Sequence, residues 1–369
     1  MPETTPCVTD NGQGSDSATQ PCVAVTSRCA TDEAVSPSRV RRAVAVAAAL
    51  VPGILINGTG HWVTGQTCTA RRLLMAEGVG LLGMGVGIPV IALAGAPRYL
   101  TTPAIVLTLG GFALILTAIG ADVYGASGAW KNPGEPTRRR SRWETELGVL
   151  RVYNPHFDFG WLLTQRAAAN VGRTRISAGL DAALDGVHAH YRLGAALRLL
   201  GPTPSSTSPD GSFFDVAVST FEQRFTSMGF VTAGAEVIGA GRLDLGRVGP
   251  TLRGSFAEIS VGLQASHTSY RIVAMSVDSD DETMLLSRLA FGVYLGRGNH
   301  RGSEAKFYYD HRRDDYAAGI KLPGYGNGMV GHVGITGQYY LTKRLGVGAL
   351  LETGSSHVTG VSVLFRGGG

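Results

Sequence analysis

Taking every second residue of VHAHYRLGAALRLL, 187–200, sorts the stretch into two chemically different lists. One reads Val187, Ala189, Tyr191, Leu193, Ala195, Leu197; the other reads His188, His190, Arg192, Gly194, Ala196, Arg198. Successive side chains of a β-strand point to opposite faces, so this is a strand with one apolar and one basic side. The same period recurs further along. Ile176, Ala178, Leu180 and Ala182 alternate with Arg175, Ser177, Gly179 and Asp181, and Val333, Ile335, Tyr339 and Leu341 with His332, Gly334, Thr336 and Gln338. About twelve such segments fit between 143 and 366, most of them about nine to fourteen residues long. Soluble strands have about five or six residues, whereas a strand crossing a bilayer at a tilt needs about nine to eleven. Length therefore selects a barrel with its apolar face to lipid and its Gly, Ser, Thr and single charges facing a lumen.

Composition agrees. Charged residues make up 17% of the chain, against about 25% in an ordinary soluble domain. The net charge of +5 is scattered along the sequence, which excludes the single basic block of a nucleic-acid binder.

Upstream of the strands the pattern changes. Residues 1–38 are rich in Ser, Thr, Asp and Pro without apolar period and are expected to be disordered. Region 39–130 is apolar and predicts two to three helices. It begins with Arg39, Arg41 and Arg42 ahead of AVAVAAALVPGILI, which is either a late-placed export signal or a first membrane-associated helix. Residues 73–96 carry one charge, Glu77, and 103–128 include an uncharged run from Pro103 to Gly120. Both approach the roughly 20 residues of a bilayer span and, joined through Arg98 and Tyr99, predict a helical hairpin with small-residue contact faces. PGILINGTGHWVTG, 52–65, reads either as a segment with His61 and Trp62 at the membrane interface or as a glycine-rich turn between two helices. Residues 131–142, KNPGEPTRRRSR, form a basic linker, solvated or lying on anionic headgroups. Cys7, Cys22, Cys29 and Cys68 all precede residue 70 without CxxC spacing. They suit disulfides in an oxidising compartment, or free thiols in a tail, better than a metal site.

The region 143–369 thus resembles the outer-membrane β-barrel superfamily. The alternating segments carry the resemblance, together with long connections at 268–283 and 312–327 facing a tight one at Thr342, Lys343 and Arg344. The long connection at 201–212 falls on the tight side. Such barrels commonly end on an aromatic residue; here Phe365 is followed by Arg366 and three glycines. The resemblance implies a membrane all-β fold. It is an antiparallel up-and-down β-barrel of about 12 strands, preceded by an N-terminal apolar helical hairpin, in a bacterial outer membrane. The implied role is non-enzymatic, as a small pore or a scaffold or docking component. Its partners would be membrane lipid and, through the helices, an envelope protein, with no nucleic acid. Two other readings are a lipid hydrolase acting at the barrel rim and an inner-membrane anchor carrying a soluble periplasmic β-domain.

The polar parity places Arg175, Asp181, His188, His190, Arg192, Glu258, Gln264, Arg288, Glu304, Lys306, Asp310, His332, Gln338 and Glu352 in the lumen. Opposite charges there are expected to pair across a narrow interior and plug it. In SEAKFYYDHRRDD, 303–315, Ser303 and His311 are the candidates for hydrolysis. Asp310 shares its face with Glu304, Lys306 and Tyr308, however, and His311 shares the opposite one with Phe307 and Tyr309. A triad must converge, so a rim strand whose Tyr308 and Tyr309 join an aromatic girdle is the expected use. His188 and His190 lie i, i+2 and are metal candidates with His332 or Glu258, or else members of a hydrogen-bond network. No GxxxxGK[ST], HExxH or GxSxG occurs, and GVGLLGMGVG lies in an apolar helix, so no cofactor is expected.

Overall fold

A computed structural model describes residues 38–93, 98–136, 141–154, 160–202, 210–226, 229–270, 279–312, 316–317, 320–321 and 329–368. The expected disorder of 1–38 falls almost wholly outside them, as do Cys7, Cys22, Cys29, the hairpin tip 94–97 and Arg138 to Arg140.

Twelve strands close into one antiparallel barrel. They are β1 (Trp143–Tyr153), β2 (Trp161–Val171), β3 (Thr174–Ala183), β4 (His188–Leu200), β5 (Phe213–Phe225), β6 (Phe230–Asp244), β7 (Ser255–Tyr270), β8 (Ser279–Tyr294) and β9 (Glu304–Asp310), followed by β12 (His332–Tyr340), β13 (Leu345–Thr353) and β14 (His357–Gly367). A two-stranded piece, β10 (Ile320–Lys321) with β11 (Met329–Val330), sits in the connection between β9 and β12. Each barrel strand pairs with its sequence neighbour, and β1 closes on β14 from Trp143↔Gly367 to Tyr153↔His357. Both termini of the barrel lie at one end, here the terminal end, with the connections 201–212, 245–254, 295–303 and 341–344. The opposite loop end carries 271–278 and the long 311–331. The β2–β3 connection is the shortest of all: Gly172, at φ 59°, and Arg173 alone reverse the chain.

The pleat separates two surfaces. Leu193, Val218, Leu263 and Val361 are 51–62% exposed on the outside, as lipid contact requires. The tryptophans mark the ends of that band. Trp143 opens β1 at the terminal end, and Trp161 opens β2 at the loop end.

Four helices precede the barrel: α1 (Arg39–Leu50), α2 (Thr59–Thr64), α3 (Thr67–Ala92) and α4 (Arg98–Ser127). Ser38 caps α1 by accepting the Arg41 N–H at 3.3 Å. At 1.5 Å per residue, α3 and α4 run about 39 and 45 Å, each long enough to cross a bilayer. Glycines let the pair meet backbone to backbone: a Cβ on Gly80 would lie 2.6 Å from the Gly111 carbonyl oxygen.

The hairpin stands beside the barrel. A Cβ on Gly120 of α4 would fall 2.5 Å from the Phe291 ring, which projects outward from β8. Phe112 of α4 meets Tyr309 of β9 edge to face at 5.6 Å, a contact that contributes about 0.5–1.5 kcal/mol beyond burial. This corrects the expected aromatic girdle. Tyr309 is covered by α4 and Tyr308 is fully buried in the lumen.

One buried cluster ties the helices together and to the barrel. The Asp122 carboxylate, at the α4 end, accepts the backbone N–H groups of Gly58, Gly60 and His61 at 3.1 Å each. It also lies 2.6 Å from His61 Nδ1. His61 Nε2 is 3.4 Å from the Thr251 hydroxyl in the 245–254 turn, which is 3.0 Å from the Thr69 hydroxyl of α3. His61 is therefore not at the membrane interface; it is fully buried, while Trp62 beside it is 40% exposed. The expected linker also differs. Over 131–136 it is held on the barrel: Glu135 N–H donates to the Gly296 carbonyl at 2.8 Å and Arg297 donates to the Pro133 carbonyl at 2.7 Å.

Asp122→Ala leaves the donors of the 58–61 turn buried without an acceptor and should destabilise the helical part by about 3–5 kcal/mol. Limited proteolysis is expected to cut within 39–127 of this variant, while the barrel keeps its heat-dependent gel mobility.

Candidate functional site in the barrel lumen

The inward-facing residues build three layers. Nearest the terminal end, Arg242 of β6 stands opposite Glu258 of β7. Its Nε donates to Glu258 at 2.7 Å and its Nη1 to Glu304 at 2.8 Å. Lys306 Nζ donates to the other Glu258 oxygen at 3.0 Å. Two cations and two carboxylates thus form one neutral cluster. The Arg242 guanidinium stacks 3.9 Å above the centre of the Phe256 ring, with Phe213 and Tyr294 beside it. Gly292 on β8 makes room for this layer, since a Cβ there would come within 2.2 Å of Phe256.

The middle layer surrounds a chamber of about 730 Å³. Glu236 is almost fully buried and receives Arg312 at 2.6 Å, the Ser219 hydroxyl at 3.0 Å and Arg192 at 3.4 Å. Arg175 pairs with Glu144 at 2.8 Å. The Arg288 guanidinium lies 3.9 Å above the Tyr308 ring and 3.9 Å from Asp310, and Tyr308 donates to Glu352. Gln264, buried on β7, stands between Glu236 and Met284 in the register, and Gln338 donates to the Gly302 carbonyl at 3.4 Å. Below the chamber, Arg198 grips Asp215 through two bonds of 2.8 and 3.0 Å.

The third layer, at the loop end, is apolar. Leu150, Val152, Leu162, Ala183 and Val358 point inward and pack with Ala317 of the 311–331 connection. The Ala317 carbonyl accepts the Ser356 N–H at 3.1 Å, and the Tyr316 hydroxyl is 3.0 Å from His188 Nε2. These lumen residues escape a reading that expects only small and polar groups inside. Their signal is a local failure of the alternation: Val149 with Leu150 and Leu162 with Leu163 are apolar on both faces.

The candidate metal ligands do not gather. His190 Nδ1 is 3.9 Å from Asp181 and His332 Nε2 is 3.9 Å from Glu352. Among the described residues no group of three or more His, Cys, Asp and Glu side chains is placed to hold a metal. Ser303 and His311 close off the hydrolase geometry. They flank β9 at opposite ends, about 26 Å apart along the strand. The buried Ser303 hydroxyl donates to the His300 carbonyl and accepts the Tyr340 N–H, while His311 lies against the Tyr309 hydroxyl at 2.8 Å. Cys68, the one cysteine among the described residues, is disulfide-bonded.

No protein-family model and no curated protein matches the chain. Among solved structures, it is similar to the translocator domain of the autotransporter NalP from Neisseria meningitidis, at 12% identity over 62% of this chain and 90% of that one, with a TM-score of 0.38. It is also similar to the Acinetobacter baumannii outer membrane protein Omp33, at 10% identity over 62% and 100% of the two chains and a TM-score of 0.32. The KdgM porin in complex with disordered oligogalacturonate gives 8% identity over 60% and 98%, with a TM-score of 0.36. The likeness is one of architecture.

Arg242→Met leaves two carboxylates, Glu258 and Glu304, to Lys306 alone in a buried layer and is expected to cost about 3–5 kcal/mol. Adding Glu304→Gln restores neutrality, with Lys306 on Glu258, and should recover most of that loss. The measurement is the temperature at which the folded gel band disappears.

Proposed function

We propose that the protein is a bacterial outer-membrane β-barrel that is blocked at rest and serves as an envelope scaffold or docking component rather than as a constantly open pore. The observation that carries this reading is the filling of the lumen at two levels. The Arg242 cluster with Phe256 and Tyr294 occupies one, and the Leu150, Leu162 and Ala317 cluster occupies the other. Charges paired inside a low-dielectric wall are costly to separate, so a solute entering the chamber has no ready path through either layer. The terminal end is assigned to the periplasm because the longest connection, 311–331, lies at the other end, as in outer-membrane barrels, although 201–212 on the terminal end is the next longest. The disulfide at Cys68 suits that compartment, since α3 starts at the terminal end, beside Thr251. The docking role rests on the helices: Val79, Leu82 and Val86 of α3 are 49–68% exposed.

Fractionation should place the protein in the outer membrane with a heat-dependent mobility shift. In planar bilayers the purified protein is expected to show no steady conductance. Deleting 313–330 together with Arg242→Ala should create it. Stable channels from the unaltered protein would overturn the blocked-barrel reading.

A further inference from the structure

We infer that the terminal end of the molecule is a collar for anionic phospholipid headgroups, an inference that rests on the barrel spanning a membrane as proposed above. The cations that are scattered in the sequence converge here in space. Arg71 and Arg72 open α3, and Arg72 donates to the Val248 carbonyl, which places both beside the 245–254 turn. Arg247 and Arg253 lie in that turn, Arg297 in the neighbouring 295–303 connection, and Lys343 and Arg344 in the 341–344 turn; all are exposed. On the first helix, Arg39 and Arg41 are also exposed, and Arg41 is fixed at this end by donating to the Val63 carbonyl at 2.7 Å.

Among the described residues, the carboxylates at this end offset the collar at Arg247, which is paired with Asp210. Asp210 is bonded by Arg247, Glu135 by Arg301, and Asp244 accepts the Gly246 N–H at 2.9 Å; none of the three is fully exposed. At the loop end the sign is different. Asp185, Asp280, Asp281 and Glu282 are exposed there, against Arg151 and Arg224. Among the described residues, the two ends therefore present opposite charge to the two surfaces of a bilayer.

Position identifies the ligand as lipid. Trp62 and Trp143, 40% and 48% exposed, lie at the same end, at the level where the outer apolar band of β1 begins. An amphipathic ring with a guanidinium above it matches the boundary between acyl chain and phosphate. Each Lys or Arg held at an anionic membrane surface adds to the attraction, and salt screens it. The chemistry required is a headgroup with net negative charge; phosphatidylglycerol is the simplest probe.

The collar tryptophans serve as reporters. The full-length protein carrying Trp161→Phe, which removes the tryptophan of the loop end, is reconstituted in phosphatidylcholine vesicles containing phosphatidylglycerol. Either one lipid or the other is brominated on its acyl chains, at equal mole fraction. Brominated phosphatidylglycerol is expected to quench the remaining tryptophans severalfold more strongly than its share predicts. That excess should vanish in 1 M salt and in the triple variant Arg71→Gln, Lys343→Gln, Arg344→Gln. Quenching in proportion to mole fraction, or an excess that the triple variant leaves unchanged, would overturn the collar. Absence of a heat-dependent mobility shift in either vesicle would instead overturn the membrane-barrel reading, so the two failures are distinct.

Discussion

Hydrocarbon offers no hydrogen bonds, so every backbone N–H and C=O within a membrane must find its partner inside the protein. The ladder between β1 and β14 is what meets that requirement here. Before it forms, both strands are edges with a row of unpaired groups; afterwards the sheet has none at its seam. Closure also brings Gly367 onto Trp143, where a Cβ would lie 2.4 Å from the indole ring. The aromatic ring at the seam thus comes from the first strand, while the last supplies the space for it.

Closure fixes the wall but not the sliding of one strand on another. The lumen supplies that constraint. Buried ion pairs add little net stability, yet a one-residue slip between β6 and β7 would turn Arg242 or Glu258 out into lipid. The Arg198–Asp215 and Arg175–Glu144 pairs act in the same way on β4 with β5 and on β3 with β1. Lumen charge in this molecule thus acts as a device that specifies register.

What was legible in the sequence is what depends on neighbours one or two residues away. The face of each strand, the number of strands and the two long helices all follow from local period, and Arg175, His190 and Arg288 point where alternation puts them. The Asp122–His61 contact spans 61 positions, and no periodicity announces it; a lone Asp in an apolar helix is the only trace. The apolar layer was hidden for the opposite reason. Leu150 and Leu162 stand beside Val149 and Leu163, and a strand that is apolar on both sides does not say which side is inside. The placement of the hairpin was equally closed to sequence reading, since Gly120 and Phe291 have no pattern in common.

The hairpin on the β8–β9 wall has a geometric consequence in the plane of the membrane. A plain barrel is nearly round, and a neighbour approaching from any direction meets much the same curved surface. Here two helices stand out from one arc of the circumference, so the outline has a lobe, with two unlike re-entrant corners where lobe meets wall. A shape of that kind has a compass bearing. Copies or partners that pack against it in two dimensions can tell one flank from the other, and any array built from it inherits a handedness that the barrel alone does not possess.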